Sequence, residues 1–328
     1  MTPADLSLTV LHAVRRAVDE GALRVDVPAG VKVERPRPGG VGDYASSIAL
    51  SLARPSGRRP LDVAGILQER LHGSPGIRAV DITGPGFLNF TLDVGQGGRL
   101  VREIGAAGLR YGYGDALGGE PVRLAPSGEA RARVVGETVL RLLRSQGADA
   151  GTGDGGQDDE RVHVVPAAYE PEVLGVDPAR WALLRPAPQD HALPGAPLLV
   201  QHERNPLFRV RYAHSRARAL LRNGAQLGVR PAYEGEGEQG SGGSELVAVL
   251  ADHPGVLLSA ARHRAPDRLA RHLEGVADAL LSFQHTVLPL GDEKPSAAHR
   301  SRLALAEAAG TVLAGGLSLL GISAPDQI

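Results

Sequence analysis

Apolar residues recur at helical spacing across 246–263, 267–288 and 297–320, so the C-terminal part of this chain buries itself as helix packed on helix. The pattern reaches back to residue 171 and makes 171–328 an all-α bundle, interrupted by EGEGEQGSGGS at 234–244, a tract with the composition of a flexible linker. Upstream the period changes. Residues 3–20 read as a helix with Thr2 as its N-cap and Leu6, Val10, Val14 and Ala17 on one face, and VKVER (31–35) as a strand. Asp43 is placed to cap a helix over 44–53 that Pro55 and Gly57 end, and Pro60 opens another carrying Val63, Leu67 and Leu71. IRAVDI (77–82) and FLNFTL (87–92) flank the turn Gly84-Pro85-Gly86 as strands. Helices beside a small sheet make residues 1–108 an α/β-sheet domain.

Between the two lies a short segment, 109–170. EARARVVGETVLRLLRSQG (129–147) is helical, with Val135, Val139, Leu142 and Leu143 facing inward. GTGDGGQDDE (151–160) is polar enough to be expected mobile, and VHVVP (162–166) is a short strand candidate. The fold class is therefore α+β: a small sheet domain, a vestigial α/β middle (109–170) and a helical bundle (171–328).

Composition narrows the function classes. The 328 residues suffice for two or three cored domains, and zero cysteines exclude disulfides and cysteine-held zinc, which fits a reducing cytosol. Neither a signal-peptide stretch nor a run of ~18 apolar residues is evident, so the expectation is a cytoplasmic protein with no membrane partner. Net charge is −1, but seven arginines and one acid fall between Glu203 and Arg230, while 232–252 carries only acids. Positive charge gathered on one element binds phosphate even in a neutral molecule. Arg204, Arg211, Arg218 and Arg222, spaced 7, 7 and 4 apart, are expected along one helical stripe, with Leu207, Val210, Ala217 and Leu221 on another. The competing reading is an ordinary solvated face.

No catalytic template fits. The chain has no Walker lysine loop, GxGxxG helix start, HExxH or GxSxG, and the adjacent pairs His202-Glu203 and Asp190-His191 are weak metal or acid-base candidates. No catalytic residue, metal ligand or cofactor is assigned.

Both ends resemble arginyl-tRNA synthetases. NPLFRVRYAHSRARALLR (205–222) is similar to a helix of that family through Phe208, Val210, Tyr212, Ala213, His214 and Arg216, and LSLLGISAPDQI (317–328) to its C-terminal ending. GVDPARWALLRPA (175–187) resembles the lead into the anticodon-binding domain of the DALR type. GDYASSIALSLA (42–53), Pro60 and GPGFLNFTL (84–92) look like the family's N-terminal additional domain. The resemblance spans about residues 1–150 and 175–328.

The resemblance implies a partner, tRNA and specifically arginine tRNA, and it implies which residues meet it. Phe87 and Asn89 match the D-loop grip, with Phe87 in the sheet core as the alternative. Tyr212 and His214 match positions near the anticodon loop, where an aromatic stacks on a splayed base, with a role in shaping the bundle as the alternative. Arg204, Arg211, Arg216, Arg218 and Arg222 complete the expected RNA-binding set.

The family's ATP chemistry needs a HIGH-like motif and a lysine-bearing KMSKS-like loop. EPVRLAPSGEARARVVGETVLRLLRSQGADA (120–150) resembles the strand, HIGH loop and helix, but Ser127 to Arg133 stand where the histidines belong. Lys32 and Lys294, the only lysines, lie outside the loop region. The expectation is a non-catalytic paralogue without ATP binding. Its rivals are a protein-interaction partner of a genuine arginyl-tRNA synthetase and an arginine-tRNA ligase working in altered or split form.

Overall fold

The computed structural model describes residues 3–34, 36, 41–92, 96–119, 121–233 and 240–328. The architecture is α+β, and packing divides it into two units, Met1–Gln96 and Gly97–Ile328.

In the first unit, α1 (Pro3–Asp19), α2 (Ile48–Ser56) and α3 (Pro60–Leu71) lie beside a sheet of β1 (Tyr44–Ser46), β2 (Ile77–Thr83) and β3 (Phe87–Leu92). The strand order is β1-β3-β2, antiparallel throughout, with Tyr44 and Val80 both opposite Phe90. The helical stripe Leu6, Val10, Val14 and Ala17 is fully buried with Val63, Leu67, Leu71, Leu88 and Phe90, as its period requires. Two local expectations are corrected. Asp43 caps no helix: Tyr44–Ser46 pairs with β3, and the Asp43 carboxylate instead accepts from the Leu92 N–H at 2.8 Å. Among the described residues of VKVER, Glu34 alone forms a strand bridge, an isolated one to Ala45, while Arg35 and the proposed cap Thr2 lie outside the described residues.

The second unit takes in α4 (Gln96–Ala107) from Gly97 onward, then β4 (Pro121–Leu124), α5 (Ala130–Ser145) and β5 (Asp149–Thr152). β4 and β5 pair in parallel across the helical crossover. Residues 109–170 therefore share a core with the C-terminal helices: Leu124, Val135, Val139, Leu142 and Leu143 are buried in one cluster with residues of the bundle. The tract 151–160 is not loose, contrary to its composition. Gly155 N–H donates to Asp159 at 2.7 Å, Glu160 bridges to Leu124, and Arg264 grips the Glu160 carboxylate at 3.1 Å. VHVVP lies outside the named strands; its Val165 N–H donates to Pro188 O at 2.9 Å.

The bundle consists of α6 (Val176–Leu184), α7 (Pro206–Gln226), α8 (Gly240–Arg262), α9 (Pro266–Phe283) and α10 (Ala297–Leu320). α8 takes in part of the tract expected as linker, and 234–239 lie outside the described residues. α10 starts at a capping box, Ser296 with His299, and ends at Gly321, whose φ of 72° suits a residue without Cβ. By length and composition this 24-residue helix could cross a membrane, contrary to the expected lack of such a run, yet most of it is buried in the bundle. Its small residues set the spacing: a Cβ at Gly316 would come within 2.5 Å of Leu273 on α9.

Candidate nucleic-acid interface

α7 starts where its sequence dictates. The Asn205 side chain accepts from Phe208 N–H at 3.2 Å, and Pro206 occupies the first turn. Leu207, Val210 and Ala217 are buried as expected, joined by Ala213 and Leu220; Leu221 is half-buried. Arg204 does not belong to the arginine stripe, because it precedes the cap and its N–H donates to His202 Nδ1 at 3.0 Å.

Arg211, Ser215, Arg218 and Arg222, at helical i, i+4, i+7 and i+11, run along one face, and the segment after α10 lies on it. Arg211 reaches Ser323 Oγ at 3.2 Å and Asp177 at 3.6 Å. Arg218 meets the Asp326 carboxylate with two nitrogens, at 3.0 and 3.5 Å. Arg222 and Ser215 donate to the Asp326 carbonyl at 3.4 and 3.3 Å. Beside these contacts opens a cleft of about 660 Å³, lined among others by Arg218, Leu221, Glu307, Thr311 and Asp326.

The remaining candidates separate. Tyr212 is 39 % exposed and its ring lies over Phe208, centroids 5.7 Å apart and planes within 16°, so the pair offers a flat apolar platform beside the stripe. His214 does not share that platform. It is buried, its Nδ1–H donates to Pro325 O at 3.0 Å, and burial pushes its pKa down, so it acts as an anchor for the C-terminal segment. Arg216 turns toward α9 and donates to Gln284 at 2.6 Å. In the first unit Phe87 is 39 % exposed at the start of β3, which removes the core alternative. Asn89 is buried, its amide donating to Thr83 Oγ1 at 2.7 Å across the hairpin, so it holds the turn beneath Phe87.

Sequence reasoning missed the role of Arg131, whose identity was visible only as a departure from a motif. It is fully buried at the start of α5, and its guanidinium makes five bonds to the carbonyls of Leu183, Val165, Asp190, Pro186 and Ala187 at 2.6–3.3 Å. Glu129 caps the same helix, accepting from Ala132 N–H at 2.6 Å and Ala167 N–H at 3.3 Å. Burial works to raise its pKa, but those N–H groups and Arg131 outweigh it and hold the carboxyl below the usual range. A carboxylate thus sits at the helix N-terminus, the place where a crossover helix would otherwise receive an anionic ligand.

Comparison with known proteins fits this geometry. Residues 8–92 match the arginyl-tRNA synthetase N-terminal domain and residues 210–328 the DALR anticodon-binding domain. An arginine–tRNA ligase of Micrococcus luteus is 46% identical over 164 residues, 45% of this chain and 30% of the relative, so there the chain spans under a third of the relative's length. A ligase of Paenarthrobacter aurescens is 26% identical across an alignment covering 100% of both proteins. That alignment runs over 550 positions for a chain of 328 residues, so about two fifths of it sets the relative against gaps. Arginyl-tRNA synthetase structures from Thermus thermophilus (TM-score 0.73, 13% identity) and Plasmodium falciparum (0.67, 8%) align over 100% of both chains and share the fold.

Proposed function

This chain is an arginyl-tRNA synthetase-related protein, with that family's N-terminal domain and a DALR anticodon-binding domain in one polypeptide, and from that premise we propose that it is a non-catalytic paralogue that binds tRNA, arginine tRNA above all. The observation that carries the reading is on α7: an exposed Tyr212 stacked on Phe208 beside Arg211, Arg218 and Arg222, inside or adjoining the DALR match. An aromatic face stacks on an unpaired base, and guanidinium groups pair with phosphates. Phe87 on the first unit is the matching candidate for a second contact.

Three observations support the absence of aminoacylation. The gaps against the full-length relative fall inside an alignment that takes in both ends. The histidines of a HIGH-like motif are missing from 127–133. Glu129 and Arg131 fill the N-terminus of α5. ATP has no role in this reading. The family relationship and the cysteine-free chain support a cytoplasmic setting.

A second reading, docking on a genuine arginyl-tRNA synthetase, is favoured by apolar side chains open to solvent near α6: Val173 at 80 % and Val176 at 73 %, with Leu199 and Val200 half exposed nearby in the chain. Fluorescence anisotropy with labelled arginine tRNA, with unlabelled synthetase as competitor, tests the two. Binding that needs Tyr212 supports the first; a stable complex with the synthetase and no RNA affinity supports the second.

A further inference from the structure

The sheet of the first unit has one closed edge and one open one. Beside β1, Ala45 exchanges two backbone hydrogen bonds with Glu34, at 2.9 and 2.6 Å, so its neighbours Tyr44 and Ser46 turn their main-chain groups to β3. Their partners Phe90 and Leu88 therefore face β1, and Val80 and Ile82, opposite those two on β2, present N–H and C=O to the other side. Among the described residues no strand meets that side; Gln68 of α3 reaches the Val80 carbonyl at 2.6 Å. A row of strand groups without a neighbouring strand is a template for one.

The residues along the edge decide which strand fits. A two-fold axis perpendicular to the sheet pairs residues that share a face, and in a regular strand Arg78 and Asp81 lie on opposite faces. β2 is not regular: Ile77 stands opposite Leu92 and Ala79 opposite Thr91, so Arg78 is an inserted residue, and this bulge brings it with Ala79 to the Asp81 face. IRAVDI (77–82) thereby becomes its own complement. With the axis at Val80, Ile77 of each copy meets Ile82 of the other on the core face, and Arg78 meets Asp81 on the outer face. Arg78 and Asp81 are exposed and, among the described residues, enter no ion pair. A cleft of about 220 Å³, lined among others by Gln68, Leu71, His72, Ile77 and Val80, lies where the second copy's Ile82 enters. A bulge and two charges discourage an arbitrary strand, and here they leave the edge selective for a copy of itself.

We infer that the chain forms a two-fold homodimer by antiparallel pairing of β2 with β2 of a second copy. The two Val80 residues exchange N–H···O bonds, each Ile82 N–H donates to the other copy's Ile77 carbonyl, and two Arg78–Asp81 pairs fix the register. The two three-stranded sheets become one. An edge contact under about 1,200 Å² belongs to the weak, transient class, so the dimer is populated in the micromolar range. The inference is independent of the tRNA-binding reading.

Sedimentation equilibrium of the full chain, from about 1 to about 200 µM, tests this on the native protein, Arg78→Asp, Asp81→Arg and an equimolar mixture of the two variants. Native protein is expected to pass reversibly from monomer to dimer over that range. Either single variant sets like charges opposite each other twice and is expected to weaken dimerisation by about 10-fold or more. In the mixture every cross-strand pair is again of opposite sign, so a heterodimer of native strength returns; this recovery also shows that both variants are folded. Native protein that stays monomeric throughout overturns the inference. A dimer that neither variant weakens places the contact elsewhere and overturns it, and single variants that weaken the dimer without recovery on mixing overturn the β2 register.

Discussion

Tyr212 lies on Phe208 one helical turn earlier, centroids 5.7 Å apart, and the outer ring is 39 % exposed while the inner one is partly buried. The inner ring holds the outer one flat against α7 and leaves one face to solvent. Base stacking on such a face is worth about 1–3 kcal/mol. Tyr212→Ala is therefore expected to weaken tRNA binding by about 10-fold with little change in melting temperature, and Tyr212→Phe to retain affinity. Anisotropy titrations beside a thermal melt check this; equal loss of affinity and stability would make the ring structural.

Arg131 makes a second prediction. Five backbone carbonyls from 165–190 converge on one buried guanidinium, and a lysine ammonium with three donors cannot replace its planar fork. Arg131→Lys and Arg131→Leu are each expected to destabilise the second unit by about 3–5 kcal/mol. Trp181, the only tryptophan, is fully buried two residues from Leu183, so its fluorescence in urea reports that unit. Loss under 1 kcal/mol in both variants would contradict the role.

Buried histidines make the same unit acid-sensitive. Burial pushes the pKa of His214 down, and burial reinforced by His272 pushes His253 well below its ordinary value. The unfolded chain takes up these protons near about 6.5 while the folded chain resists them. Below that pH the unfolded state binds more protons, so stability present above it is lost as pH falls toward the folded pKa values. His253, facing Tyr111 and His272, is the larger contributor. Urea midpoints by Trp181 fluorescence should fall from pH 7 to pH 5, with a shallower slope in His253→Leu; a flat profile in the native protein would refute this.

Aminoacyl-adenylate formation needs charge stabilisation at a phosphate-receiving site. On the non-catalytic reading proposed above, with the Glu129 carboxylate at the N-terminus of α5, arginine- and ATP-dependent pyrophosphate exchange should not exceed a protein-free blank. Exchange that survives purification and depends on this chain would restore the ligase reading.

Local pattern carried much of the fold. The period of α10 and its Ser296 start, the stripe on α1, and the β2–β3 hairpin around Gly84 and Gly86 follow from neighbours in sequence. Where pairing with a distant strand decides, local reading fails: residues 44–46 have a helix-like context yet join β3. The site divides in the same way. The alignment of Arg211, Arg218 and Arg222 is a property of one helix and was legible, as was the aromatic content of 205–222. That Asp326 covers those arginines, that Pro325 receives His214, and that Arg131 gathers carbonyls from 165–190 depend on tertiary packing across tens to more than a hundred residues. Gly-rich polarity likewise concealed the anchoring of Glu160 by Arg264.

The most direct test of the account is a salt series with purified protein, arginine tRNA and an unrelated tRNA, beside an Arg211→Ala/Arg218→Ala variant. The account predicts preferential binding of arginine tRNA, falling steeply with salt by about 0.7–0.9 log units of affinity per decade for each phosphate engaged, and a shallower slope in the variant. Weak, equal binding of both tRNAs, with the same slope in native and variant protein, would contradict it.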